Sequence, residues 1–285
     1  MLKLCIAINK KEELELNCDS IIIGLKNFNT LNVLELSIKE IEDIVNKYTN
    51  KEIFISINKN IHDYELDELK RILFKLNNIN IKGIIFDDVG IYNIINNLNL
   101  NIKLIWGNMH QVTNYTTINE WNKLGVKSAI TSPEITIKKI CELQNNSNSI
   151  LFIPIYGMFE IFNSNRFLLS NYLKYINNEK MDDKYYIKHN ETNYPIFENE
   201  TGTHIIDGKI LNGINEIRNL NNERNDYLLI NTYMLNNTEE VIKTIDNYIN
   251  GNSNISSKLN ENEYDGFLNK ETFYKVKSSD NNERK

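Results

Sequence analysis

The sequence predicts an α/β protein built as a TIM-like (β/α) barrel, and three observations predict it. Short β-branched runs recur eight times, helical patterns stand between them, and the runs are continuously apolar rather than alternating. Continuous apolarity marks strands buried on both faces, as in a parallel sheet covered by helices. Eight such units favour a closed barrel over an open doubly wound sheet.

The runs, in order, are LCIAI (4–8), SIIIG (20–24), EIFISIN (52–58), GIIFDD (83–88), KLIWGN (103–108), SAIT (128–131), ILFIPIYG (150–157) and YLLINT (227–232). Between them, IKEIEDIVNKY (38–48) and ELDELKRILFKLNN (65–78) repeat apolar residues at helical spacing. TIKKICEL and TEEVIKTIDNYI do the same, each opening on a threonine suited to an N-cap. The first two runs are so close together that an irregular start to the barrel is expected. From about 171 to 209, strand-like pieces separated by turn residues replace the rhythm, which predicts a β-rich insertion over one end of the barrel before the last strand. The barrel domain is thus assigned residues 1–250. Residues 251–285 read as a polar, flexible tail in which DGFLNKETFYKV (265–276) offers a short docking strand.

With 285 residues, 41% hydrophobic and 25% charged, the chain is long and apolar enough for a packed core. Asparagine, isoleucine and lysine abound while only two alanines occur, a skew of AT-rich coding, so a single Asn or Lys carries little functional weight. A net charge of -6 argues against gripping nucleic acid unaided, and leaves open a local basic patch or a basic partner. Cys5, Cys18 and Cys141 are scattered, without metal-like spacing, which fits a reducing cytoplasm. The apolar part of the N-terminus is too short for a secretory signal, and no apolar run reaches the roughly 18 residues of a membrane span. A cytoplasmic protein without a membrane partner is expected.

In a barrel the site lies at the C-terminal ends of the strands. Those ends nominate Asn58, Asp87, Asp88, Gly107, Asn108, Glu134, Gly157 and Asn231.

The stretch YGMFEIFNSNRFLLSNYL (156–173) sets Gly157, Arg166 and Ser170 at offsets of nine and thirteen from the glycine. It resembles the signature of the collagenase-like peptidase family U-32, whose members carry HG, a cysteine, then GRC and LLS. Here Tyr156 stands for the histidine, Glu160 and Phe167 for the two cysteines, and Asn165 for the second glycine. HQVTNYTTINEWNKLGVKSAITSPEITIKKI (110–140) is similar to a family segment with a TN pair, a helix, a strand and a following Glu. YPIFENETGTHIID (194–207) resembles the family's hairpin, and DGFLNKETFY its close. Within the family the likeness is strongest to the short paralogue of a pair linked, in low-GC Gram-positive bacteria, to prephenate-dependent 5-hydroxylation of the tRNA wobble uridine.

Many family members hold an iron-sulfur cluster on four cysteines. With Glu160 and Phe167 at two of those positions, no cluster is expected here. The family's last-strand motif K-I-E/D-G reads Leu229, Ile230, Asn231, Thr232, losing both charges. The site is therefore either lost or completed by another chain. No HExxH or recognisable nucleophile motif supports proteolysis, and no metal ligands are expected.

Glu134 and His204 are the candidate catalytic residues, and Gln111, Asn114, Gly157, Arg166, Glu198 and Thr203 the candidate substrate-binding ones. Each has a structural alternative. Gly157 permits either a tight strand exit or a close ligand. Arg166, with Asn163 to Asn165, either binds a phosphate or carboxylate or anchors a helix end by an ion pair. Ser170 reads as a helix-start or packing residue. Glu198, Gly202, Thr203 and His204 form either a plain hairpin turn or one that aims His204 at the rim. Glu134 is either a rim ligand or a first-turn helix acid, and Asp87 with Asp88 either bind a metal or cap the next helix. The resemblance implies a cluster-free companion to a longer, cysteine-bearing paralogue, reaching tRNA indirectly. The alternative is a stand-alone enzyme, either a peptidase or a hydroxylation catalyst using a small organic acid.

Overall fold

The computed structural model describes residues 1–178, 185–252 and 255–270. Its strands in chain order are β1 (Lys3–Ala7), β2 (Ser20–Leu25), β3 (Glu35–Leu36), β4 (Glu52–Ile57), β5 (Gly83–Phe86), β6 (Leu104–Trp106), β7 (Ser128–Ile130) and β8 (Ile150–Gly157). There follow β9 (Glu160–Ser164), β10 (Tyr185–His189), β11 (Thr192–Asn199), β12 (Gly202–Ile206), β13 (Ile210–Asn212), β14 (Tyr227–Asn231) and β15 (Glu263–Tyr264). The helices are α1 (Ile38–Lys47), α2 (Leu66–Leu76), α3 (Val89–Asn97), α4 (Tyr115–Lys123), α5 (Ile137–Asn146), α6 (Leu168–Tyr175) and α7 (Thr238–Ile249).

All eight predicted runs form strands, and they close a parallel barrel in the order β1-β2-β4-β5-β6-β7-β8-β14, with β14 pairing back onto β1. Buried isoleucines dominate these strands because both faces are covered, the outer one by helices. Inside, the rings of Phe54, Phe152 and Tyr227 pack together at 4.4 to 5.6 Å between centroids. On the outside Trp121 of α4 packs against Phe86 and Trp106. Since side chains alternate along a strand, Ile85 and Asp87 then share the interior side of β5. As expected, the start is irregular: β1 and β2 are joined only by a short 3-10 turn, Lys11–Glu15.

The base of the barrel is tied by Arg224 and Asp226, paired at 2.8 Å. Asp226 also accepts from the Leu151 backbone at 2.9 Å and Gln144 Nε2 at 2.8 Å, which fixes where β14 enters against β8.

The β-rich excursion is an antiparallel sheet ordered β10-β11-β12-β9. It begins at β9, ahead of the predicted residue 171, because Gly157 turns the chain out of the barrel with φ +121. A Cβ at Gly157 would lie 2.2 Å from the Asn231 carbonyl oxygen, so only glycine fits where β8 crosses β14. The excursion is pinned at its root by β13, antiparallel to β8, and by the Asp207 amide donating to the Phe159 carbonyl at 2.9 Å.

Two expectations need correction. Thr238 is the first residue of α7 rather than its N-cap, which is Asn237, whereas Thr136 does cap α5 by accepting from the Lys139 amide. Part of the stretch read as a flexible tail packs on the barrel: β15 pairs with β13, and the Leu268 side chain is buried while its carbonyl accepts from the Ile137 amide. The strand that docks is Glu263–Tyr264, just ahead of the expected span. Residues 271–276 of that span lie outside the described residues.

Candidate functional site

The face of the excursion sheet that carries His204, Phe197, Glu160 and Ile206 turns toward the barrel mouth and acts as a lid. His204 is buried on β12; its Nδ1 lies 2.7 Å from Glu160 Oε2 on β9 and its Nε2 3.0 Å from Thr201 Oγ1. The Phe197 ring stacks on the imidazole at 5.0 Å. Glu160 also accepts from Asn163 Nδ2 at 2.7 Å. This carboxylate therefore has a fixed orientation, and it borders a cavity of about 20 Å³ between lid and barrel. Asn32, Met109, Phe159, Leu229 and Asn231 also line that cavity, which has room for about one water molecule.

Asp87 and Asp88, indistinguishable in sequence, have different jobs. Asp88 caps α3 by accepting from the Gly90 amide at 2.7 Å and holds the Ile61 amide at 2.9 Å. Asp87 Oδ1 is buried with no hydrogen-bond partner among the described residues. Burial, with the charges of Glu160 and Asp88 nearby, pushes its carboxyl up to about 7. Gly107 makes space for it, since a Cβ there would sit 3.1 Å from Asp87 Oδ1 and overlap Ile85. Asn32 Nδ2 is likewise buried and unpartnered among the described residues. Burial also raises Glu35, against the hydrogen bond it receives from Asn29, and the charge of Glu200 adds to the effect.

At the last barrel strand, Leu229 and Asn231 line the cavity where the resemblance implies charged groups. Asn231 Oδ1 accepts from the Tyr233 amide at 2.9 Å, and Thr232 donates to the buried Glu13 at 2.7 Å. Among the described residues no lysine or arginine lines this cavity. Tyr156, in the place of the family's histidine, is buried; its hydroxyl bonds Glu263 and accepts from Asn260 Nδ2 at 2.7 Å, which holds the C-terminal strand.

The sequence-derived candidates divide. His204 reaches the lid's inner face and is joined there by Glu160. Glu134 is exposed, 4.0 Å from His110 Nδ1, and precedes the Thr136 cap, so it is outside the first turn of α5. It lines a second small cavity together with Glu160, Asp207 and Tyr264. Gln111 is exposed in a turn, and Asn114 caps α4 by accepting from the Thr117 amide at 2.9 Å. Glu198 accepts from the Ser170 amide at 3.0 Å and from Thr203 Oγ1 at 2.9 Å, and Thr203 accepts from the Leu168 amide at 2.8 Å. These two residues fasten α6 to the outer face of the lid, away from the mouth. Ser170 sits in the first turn of α6, and Gly202 has φ +117, as the turn requires. Arg166 is exposed, and its guanidinium has no ion-pair partner among the described residues.

The site that sequence reasoning underrated is Asp87 with Glu160. The signal available was position alone: Asp87 at a strand end, Glu160 three residues after Gly157.

A thiolate cluster does not fit these residues. Cys5 lies in β1, Cys18 before β2, and Cys141 on α5, and burial raises all three thiols. Among the described residues no three His, Cys, Asp or Glu side chains converge as a metal site, and no helix is long and apolar enough to cross a membrane.

Residues 9–281 match the family model described as Peptidase family U32. A tRNA hydroxylation protein P2 from Bacillus subtilis is 27% identical over 176 residues, covering 59% of this chain. The chain spans 57% of that relative's length. A crystal structure of a glycerol uptake operon antiterminator-related protein from Thermotoga maritima overlaps 54% of this chain and 83% of its own, at 13% identity and a TM-score of 0.35.

Proposed function

The chain belongs to peptidase family U32, and from that membership we propose that it is a cluster-free companion subunit in tRNA wobble-uridine 5-hydroxylation. Its partner is a longer, cysteine-bearing paralogue. The observation that carries this reading is Glu160, a carboxylate hydrogen-bonded to His204 at the position where cluster-binding relatives present a thiolate. The similarity to a tRNA hydroxylation protein supports the pathway.

The mouth is acidic, with Glu160, Asp87 and Glu35 and, among the described residues, no cation lining the cavity, so an organic dianion such as prephenate finds its counter-charges on the partner. The net charge of -6 leaves the main grip on tRNA to the partner as well. Free thiols fit a cytoplasmic location. Tagged chain purified from cells is expected to bring down the longer paralogue. A clean monomer in repeated purifications would overturn the companion role.

One observation favours a second reading, a stand-alone enzyme. A carboxyl held near neutrality at a barrel mouth is suited to general acid-base work. That reading predicts gelatin or casein cleavage, or hydroxylation, by the pure chain and its loss in Asp87→Asn.

A further inference from the structure

The lid is tied to itself more firmly than to the barrel. Its four strands pair with one another, and His204 joins β12 to β9 through Glu160. The chain leaves the barrel at Gly157 and returns at Gly208, and the β13 register sets Leu211 opposite Gly157, so exit and return lie side by side. A rigid unit entered and left at one place has the form of a hinged domain, whose motion a few residues at the root absorb.

The closure has no polar latch. Among the described residues no ion pair or hydrogen bond joins β9, β11 or β12 to the barrel. The contacts that close it are apolar: Phe159 and Met109 line the cavity together, and the Phe197 ring lies 6.4 Å from that of Tyr233. Across the same closure, acids of the barrel face acids of the lid. Asp87 is buried, and the charges acting on it are Glu160 of the lid and its own neighbour Asp88. His204 offsets part of the Glu160 charge, whereas Asp87 Oδ1 has no hydrogen-bond partner among the described residues. Glu35 of β3 is half-buried and receives a hydrogen bond from Asn29; Glu200, in the turn between β11 and β12, repels it, and His204 and Lys26 oppose that repulsion.

We propose that the lid is a proton-controlled gate on the barrel mouth: it lies closed while Asp87 is protonated, and ionised Asp87, repelled by Glu160 and drawn to water, loosens it about its root at Gly157 and Gly208. Opening hydrates the carboxylate and admits a ligand to the mouth. The direction follows from linkage. Under the closed lid the Asp87 carboxyl is raised to about 7, and in an open, hydrated mouth it returns toward its ordinary 3.8. Opening is therefore rarest below about pH 4, rises about tenfold per pH unit toward 7, and is level above that. The inference is the same for a companion subunit and for a stand-alone enzyme.

The test is the labelling rate of a thiol placed under the lid, by Met109→Cys or by the deeper Leu229→Cys, in the full chain carrying Cys18→Ser and Cys141→Ser. The probe is a pyridyl disulfide, which reacts with thiols in acid, and each rate is divided by that of a free thiol at the same pH. Cys5, fully buried in β1, is kept as the reporter of global unfolding. The corrected rate is expected to rise about a hundredfold from pH 5 to pH 7, to level off above, and to exceed that of Cys5 throughout. Asp87→Asn is expected to remove most of the rise. Asp88→Asn, which still caps α3, is expected to keep it. A rate that does not change with pH, a rise that survives Asp87→Asn, or Cys5 labelling as fast as the new thiol would each overturn the proposal, the last because the chain would then be opening as a whole.

Discussion

Replacing Asp87 with asparagine removes the charge of a carboxyl whose Oδ1 is buried without a partner among the described residues, and keeps its shape. Burial and the neighbouring acids raise that carboxyl from 3.8 to about 7. Below about pH 4 it is protonated in both folded and unfolded chains, and no penalty exists. As pH rises from 3.8 toward 7, the unfolded chain ionises first while the native one keeps its proton, so stability falls; above that range the loss is complete. At about 1.4 kcal/mol per tenfold change in acidity, the full penalty is roughly 4 kcal/mol. Urea denaturation of wild type and Asp87→Asn should therefore give nearly equal stabilities near pH 4, and near pH 8 an advantage to the variant approaching that figure. A difference that does not change with pH, or a variant less stable near pH 8, would refute the reasoning.

Three further outcomes follow from the geometry. Glu160→Ala leaves His204 Nδ1 buried without its partner and is expected to destabilise by about 3 to 5 kcal/mol, measured by chemical denaturation. Adding His204→Ala in a double-mutant cycle should recover part of that loss. Gly157→Ala, with φ +121 and the Asn231 oxygen 2.2 Å from its new Cβ, is expected to cost at least about 2 kcal/mol in the same assay. Asp226→Ala strips partners from Arg224, Gln144 and the Leu151 amide and is expected to lower the melting temperature by more than any lid substitution.

The barrel was legible because its strands are buried on both faces and so read as apolar runs with helical periods between them. The lid was legible only as β-rich, because its edges depend on Gly157 and on pairings between residues far apart, such as Glu160 with His204. Composition made the C-terminal stretch look free, yet one leucine, Leu268, and the Tyr156 to Glu263 contact dock it. Asp87 and Asp88 are equal in sequence; only the Gly90 and Ile61 amides, which Asp88 satisfies, set Asp87 apart. Glu198 and Thr203 were legible as a hairpin motif, but not their bonds to α6, which join residues about thirty apart in sequence.

The central claim is participation in tRNA hydroxylation beside a longer paralogue. Its most direct measurement is mass spectrometry of wobble uridine in tRNA from cells that lack this chain and retain the paralogue. The account predicts that 5-hydroxylated wobble uridine falls and returns when the chain is restored. Hydroxylation at the wild-type level without the chain would contradict it.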